Sequence, residues 1–303
     1  MSKLWGGILI ASGLMTAGGC NRPTAPQGPV VVEPDPVQEA MAHTHAGDYR
    51  RALELFTEAI RHDPEDFDAW YQRGITQHQL RQFDAAIQDF TRALQIDAQA
   101  SKVYDRRAAA YNSLGKLDFA LADLDASIQI KPTGEAYTDR GLIHMKLGSD
   151  RQAVTDFDAA IALDKHAFKA YLNRGICRAQ HNQFGEAVAD YDRALEIMPG
   201  DPRSHYVRGL AHYRLQDMQK ALYDFTATLG KEPENTACLI KRALVYASRG
   251  DYEKAIADNT AVIALEPENA LAYYNRGVAR QFLGQRTEAA ADIRKSKQLD
   301  PSL

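Results

Sequence analysis

Cysteine is scarce in this sequence, and neither sign of charge dominates. Three cysteines occur among 303 residues, and only Cys177 and Cys238 lie beyond the first twenty. That number excludes a disulfide framework and a paired-cysteine metal site. Acidic and basic side chains nearly balance, 40 against 36, for a net charge of -4. Nucleic-acid binding needs clustered Lys and Arg to neutralise phosphates, and no such cluster is present. A Ser, His and Asp set and a glycine-rich phosphate loop are also missing, which argues against an enzyme. The apolar stretch from Leu4 to Met15 is shorter than the roughly 20 residues that span a bilayer. What is there, 45% hydrophobic and 25% charged residues, is the balance of an ordered soluble fold.

The first residues differ from the rest. Lys3 precedes the apolar stretch, and Thr16-Ala17-Gly18-Gly19 leads in small residues to Cys20, so residues 1–19 read as a secretory signal. The small run against a cysteine resembles a bacterial lipobox, with Ala17 where leucine is typical. The resemblance implies a lipid on Cys20, and Asn21 in place of aspartate implies sorting to an outer membrane, facing the periplasm. An ordinary cleaved signal and a secreted periplasmic protein are the alternative. Residues 20–36 then carry Pro23, Pro26, Pro29, Pro34 and Pro36, the composition of an extended tether. At about 3.1 Å per residue it reaches up to roughly 50 Å.

Beyond the tether the sequence repeats. Arg73, Arg107, Arg140, Arg174, Arg208, Arg242 and Arg276 recur every 34 residues with one step of 33, and so do Asp89, Asp123, Asp156, Asp190, Asp224, Asp258 and Asp292. This period marks a solenoid whose units bury their apolar faces against one another. The units are 33–66, 67–100, 101–133, 134–167, 168–201, 202–235, 236–269 and 270–303. Position 20 is alanine in all eight, and position 4 is aromatic in most, as at Trp70, Tyr104, Tyr137, Tyr171 and Tyr273. Gly47, Gly115, Gly148, Gly250 and Gly284 stand where a first helix needs a left-handed C-cap, a role Asn182 also fills. Prolines such as Pro64, Pro199 and Pro267 end the second helix.

Within the second unit, Trp70, Gly74, Ala86, Phe90 and Ala93 at positions 4, 8, 20, 24 and 27 resemble the tetratricopeptide repeat. The resemblance covers about residues 33–301. It implies an all-α fold, a superhelix of eight antiparallel helix pairs. Cys177 and Cys238 then lie two units apart in different positions, too far for a disulfide, and are expected to pack between helices.

Positions 7 and 23 stand equally far from the turn of each pair, so the arginine and aspartate of one unit are expected to meet as a structural ion pair. The resemblance also implies a groove lined by positions 2, 5, 6, 9, 12 and 13 of the first helices. Candidate partner-binding residues there are Tyr71, Ile75, His78, Leu142, Asn173, Ile176, Tyr206, Leu210, Tyr213, Tyr274, Asn275 and Phe282. They suit an extended or helical segment of a protein partner. The alternative is that several of these tyrosines only pack between neighbouring first helices. His43, His144 and His212 share position 11 and are expected to pack rather than bind metal, and no cofactor is implied.

The last unit places Ser296 and Lys297 where apolar packing would otherwise continue, which reads as a polar cap. The first unit lacks the Arg and Asp pair. The sequence therefore leads to a lipid-anchored interaction scaffold that supports assembly of envelope complexes. A structural spacer, or an accessory subunit of an envelope enzyme with no groove of its own, is the alternative.

Overall fold

The computed structural model describes residues 35–303. The signal segment 1–19, the lipidation residue Cys20 and the tether as far as Pro34 lie outside the described residues. Sixteen helices and no strand make up the described chain. They run as α1 (Pro36–His45), α2 (Tyr49–His62), α3 (Phe67–Gln79), α4 (Phe83–Ile96), α5 (Ser101–Ser113), α6 (Leu117–Ile130), α7 (Gly134–Lys146) and α8 (Asp150–Leu163). The second half continues with α9 (Phe168–Gln180), α10 (Phe184–Ile197), α11 (Pro202–Arg214), α12 (Met218–Lys231), α13 (Thr236–Ser248), α14 (Tyr252–Leu265), α15 (Ala270–Phe282) and α16 (Arg286–Leu299). Odd-numbered helices are the first of each pair. None is long and apolar enough to cross a membrane.

Helix boundaries follow the local chemistry. The side chains of Asp66, Thr133, Asp201, Asn235 and Asn269 each accept a backbone N–H at a first-helix N-terminus, and Pro202 occupies the first turn of α11. Between the helices of a pair the chain must pass through positive φ. Glycine supplies this in five units and Asn182 in the fifth unit, at φ 61°. The second and sixth units use Arg81 and Gln216, both at φ 62°, where a side chain carries a steric cost.

Two small positions let each pair close. Alanine at position 20 is fully or almost fully buried in every unit, from Ala52 to Ala289. At position 8 several units have glycine packed directly against a ring. A Cβ on Gly74, Gly141 or Gly175 would lie 2.6, 2.7 or 2.5 Å from the ring of Phe90, Phe157 or Tyr191. Where position 8 is Ala108 or Ala243, the residue opposite is Leu124 or Asn259, not an aromatic. In the second, fourth and fifth units the bare backbone of glycine admits the ring, whereas the first unit sets Ala40 opposite Phe56 and the eighth sets Gly277 against Ile293.

Every close approach between alternate helices joins two first helices, as in α1 with α3, α3 with α5, α9 with α11, α11 with α13 and α13 with α15. The second helices therefore splay apart, and the stack curves with its first helices on the inner side. Core residues form a chain of local clusters along the stack, each drawing on adjoining helix pairs, which is how a solenoid is stabilised. Cys177 and Cys238 sit buried and unpaired in these clusters, and burial pushes their thiols up to about 11 and about 12.

Candidate functional site: the inner helix layer

The repeated charges form a spine along one side of the stack. Arg73 donates from Nε and Nη2 to the two carboxylate oxygens of Asp89, at 2.7 and 2.8 Å. Arg107 with Asp123, Arg208 with Asp224, Arg242 with Asp258 and Arg276 with Asp292 repeat this two-pronged geometry. Arg140 with Asp156 and Arg174 with Asp190 meet through the same atoms, with Nε shared between both oxygens. The aspartate side chains are between 1 and 8% exposed, so the pairs are largely out of water. Hydrogen bonding to Asp156 raises the pKa of Arg140 above its ordinary value.

The spine does more than brace single units. In six of the seven cases the remaining guanidinium nitrogen reaches position 25 of the preceding unit. It meets Thr57, Thr91, Asp125, Asp158, Asp192 or Thr260. Each arginine also lies against a ring at position 4 where one exists: Arg73 over Trp70 at 4.9 Å, and Arg107, Arg140, Arg174 and Arg276 over their tyrosines at 5.4 to 5.6 Å. His205 replaces the ring in the sixth unit, with Nδ1 2.9 Å from Asp224 and Nε2 3.0 Å from the Pro199 carbonyl. The arginines are thus hubs that tie successive units. Position 25 was the signal missed in the sequence, because it alternates between Thr and Asp and has no single identity to recognise.

The inner face holds the candidate binding residues, and they divide into three groups. Tyr71 and Asn173 are buried, which corrects their assignment to an open groove. Tyr71 packs its ring near Phe90 and Phe67, and the Asn173 amide donates to the Lys169 carbonyl at 2.7 Å, one turn back in α9. Ile75, His78, Leu142, Ile176, Tyr206, Leu210, Tyr213 and Asn275 are half-buried on the first helices. Burial raises the pKa of Tyr206 and lowers that of His78. Tyr274 and Phe282 are exposed, at 36 and 66%. Phe282 nevertheless stacks on Tyr252 of the preceding unit, rings 4.7 Å apart and nearly parallel.

The histidines at position 11 do not share one environment. His212 is buried and His144 nearly so, but His43 is only half-buried, 3.2 Å from Asp48, and the first unit has Leu55 where the others have the buried Asp. Among the described residues no group of three His, Cys, Asp or Glu is placed to hold a metal ion.

On α5 and α7 the inner face carries acid beside the cations Lys102 and Arg106. Asp105 and Asp139 line one small cavity with Asn112 and Leu142. Burial raises the pKa of Asp105, and its Oδ1 has no hydrogen-bond partner. Asp139 opens to solvent at the groove, yet the surrounding walls, together with Asp105 and Glu135, also raise its pKa against the lowering effect of Lys169.

Family models described as Tetratricopeptide repeat match residues 37–101, 138–202 and 270–303, and one described as TPR repeat matches 243–284, more than half of the chain together. The chain belongs to the tetratricopeptide-repeat family. Solved structures agree on the fold. The C-terminal part of a TPR repeat-containing protein from Cytophaga hutchinsonii is 22% identical with a TM-score of 0.62, over 77% of this chain and 96% of that one. A tetratricopeptide repeat protein from Parabacteroides merdae is 19% identical with a TM-score of 0.58, over 84% of this chain and 97% of that one. YrrB, described as a TPR protein with an unusual peptide-binding site, is 20% identical with a TM-score of 0.52, over 62% and 97%. No curated protein sequence matches significantly. The sixteen helices of this tetratricopeptide-repeat chain make eight repeats, with the spine inside them and the groove on their first helices.

Proposed function

We propose that this tetratricopeptide-repeat chain is a scaffold for protein–protein interaction, held at a bacterial envelope by a lipid on Cys20 and contacting its partner through the first-helix layer. One observation carries the binding reading. Tyr274 and Phe282 present aromatic surface to solvent on the first helix of the last unit, Phe282 with one face stacked on Tyr252. Aromatic side chains on a concave face anchor partner segments at low entropic cost. The fold likeness to YrrB, a protein described by its peptide-binding site, supports the same use here. In the envelope the scaffold would hold components of a larger complex together, with the proline-bearing tether setting its distance from the membrane.

Two experiments test it. A photo-reactive residue at Tyr274, on the inner face, is expected to give a discrete adduct in cells, and one at Tyr223, exposed on α12, is expected to give none. The same pattern from both sites, or no adduct from either, contradicts a groove. It would favour the spacer or accessory-subunit reading, for which the Phe282 and Tyr252 stack between units is the supporting contact. Fatty-acid labelling is expected to be lost in Cys20→Ser; equal labelling of both proteins refutes the anchor.

A further inference from the structure

The inner face is electrically divided. The first helices of the first four units each carry acid, Glu39 in α1, Asp68 in α3, Asp105 in α5, and Glu135 and Asp139 in α7, with Lys102 and Arg106 beside it on α5. The first helices of the last four units, α9, α11, α13 and α15, contain no Asp or Glu at all. They contain ten Lys and Arg residues. Six of these, all arginines, are tied to spine aspartates, including Arg178 on Asp190 and Arg280 on Asp292. Lys169, Arg203, Arg214 and Lys241 form no salt bridge among the described residues, although Lys169 lies near enough to Asp139 of α7 to lower its pKa. Arg214 is already occupied with the Phe184 ring and Asn182. Lys169, Arg203 and Lys241 remain, at positions 2, 2 and 6 of three successive inner helices. Between and beside them are the half-buried aliphatic and aromatic side chains of Ile176, Tyr206, Leu210 and Ile240.

We propose that the inner face of the last four units binds an acidic segment of a partner protein that carries aliphatic side chains between its carboxylates. This rests on the reading of the first-helix layer as a binding surface. The apolar floor takes the aliphatic groups, and the three cations, Arg203 and Lys241 unshared and Lys169 shared with Asp139, take the carboxylates. The acid on α5 and α7 disfavours such a segment in the first half, where Arg106 already faces Asp105 and Asp139. Asp105 and Asp139 already hold raised pKa values there, so added negative charge meets repulsion as well as desolvation. That confines the segment to four inner helices, which at about 10 Å apart span roughly 30 Å, or about ten extended residues. A nucleic acid fits less well, because its uniform charge gains nothing from the aliphatic floor and three cations neutralise few phosphates.

The test uses the full chain and three labelled ten-residue peptides in which Leu alternates with Glu, Gln or Lys, with binding read by fluorescence anisotropy. The Glu peptide is expected to bind about tenfold more tightly than the Gln peptide at low salt and to lose that advantage at 0.5 M salt, as about three screened ion pairs allow. The triple substitution Lys169→Gln, Arg203→Gln and Lys241→Gln is expected to bring the Glu peptide down to the Gln level with the melting curve unchanged. Equal binding of Glu and Gln peptides overturns the charge selection and leaves the groove reading intact. Binding of none of the three overturns both. Tighter binding of a labelled single-stranded oligonucleotide than of the Glu peptide also overturns the inference.

Discussion

A buried carboxylate is only as stable as the cations that remain when one is removed, and the spine offers a graded set. Asp123 has Arg107 as its only cation, in a pair whose side chains are 16 and 7% exposed. Arg107→Ala strands that charge, and the expected loss is about 3–5 kcal/mol, read by urea or thermal melting. Asp190 has two arginines, Arg174 and Arg178. Arg174→Ala is therefore expected to lower the melting temperature by a smaller amount, and an unchanged curve contradicts the buried brace. Asp105 behaves oppositely. Its folded pKa lies above the ordinary value of 3.8 because burial disfavours the anion. The unfolded chain ionises first as pH rises, so this group costs stability above that value and none below it. Asp105→Asn is expected to raise the melting temperature at pH 7, and the gain should vanish below about pH 3.8. The Arg and Asp spine was legible in the sequence because each series keeps one identity at one interval. Its second function, joining units through position 25, was not, since Thr and Asp both serve as acceptors there.

The element that repeats is a helix hairpin closed by a small residue against a large one. Gly175→Ala would press a methyl group into the Tyr191 ring, and the expected cost is about 1–3 kcal/mol. Combining it with Tyr191→Leu copies the Ala108 and Leu124 pairing of the third unit, so the double variant is expected to be more stable than the sum of the single losses. Additive losses would show that the two positions do not share a space. The hairpin turns supply a second check. Arg81→Gly and Gln216→Gly relieve positive φ and are each expected to gain roughly 1 kcal/mol, measured by the same melts. Glycine and asparagine turns could be read from the sequence by residue type. The two turns at Arg81 and Gln216 could not, because only the spacing of the helices forces that backbone. Tyr71 and Asn173 were misplaced for a related reason: position within a repeat names a helix face, but whether that face opens to the groove depends on the neighbouring unit.

At the scale of the whole molecule, the described chain is a one-dimensional stack with two separate linear features. The spine satisfies its own charges and ties unit to unit, so substitutions in it are expected to change stability and leave ligand selection alone. The inner layer holds charges outside the spine, of both signs in the first four units and basic alone in the last four. That division was visible in the sequence once the helix boundaries were known, because it consists of four helices without a single carboxylate. The net charge of the chain, -4, conceals it. The measurement that tests the account most directly is a backbone amide spectrum of the full chain, recorded with and without the alternating Leu and Glu peptide. Shift changes are expected along α9, α11, α13 and α15 and not along the second helices or at the spine. Changes centred on α10, α12 and α14, or spread across the first four units, would contradict it.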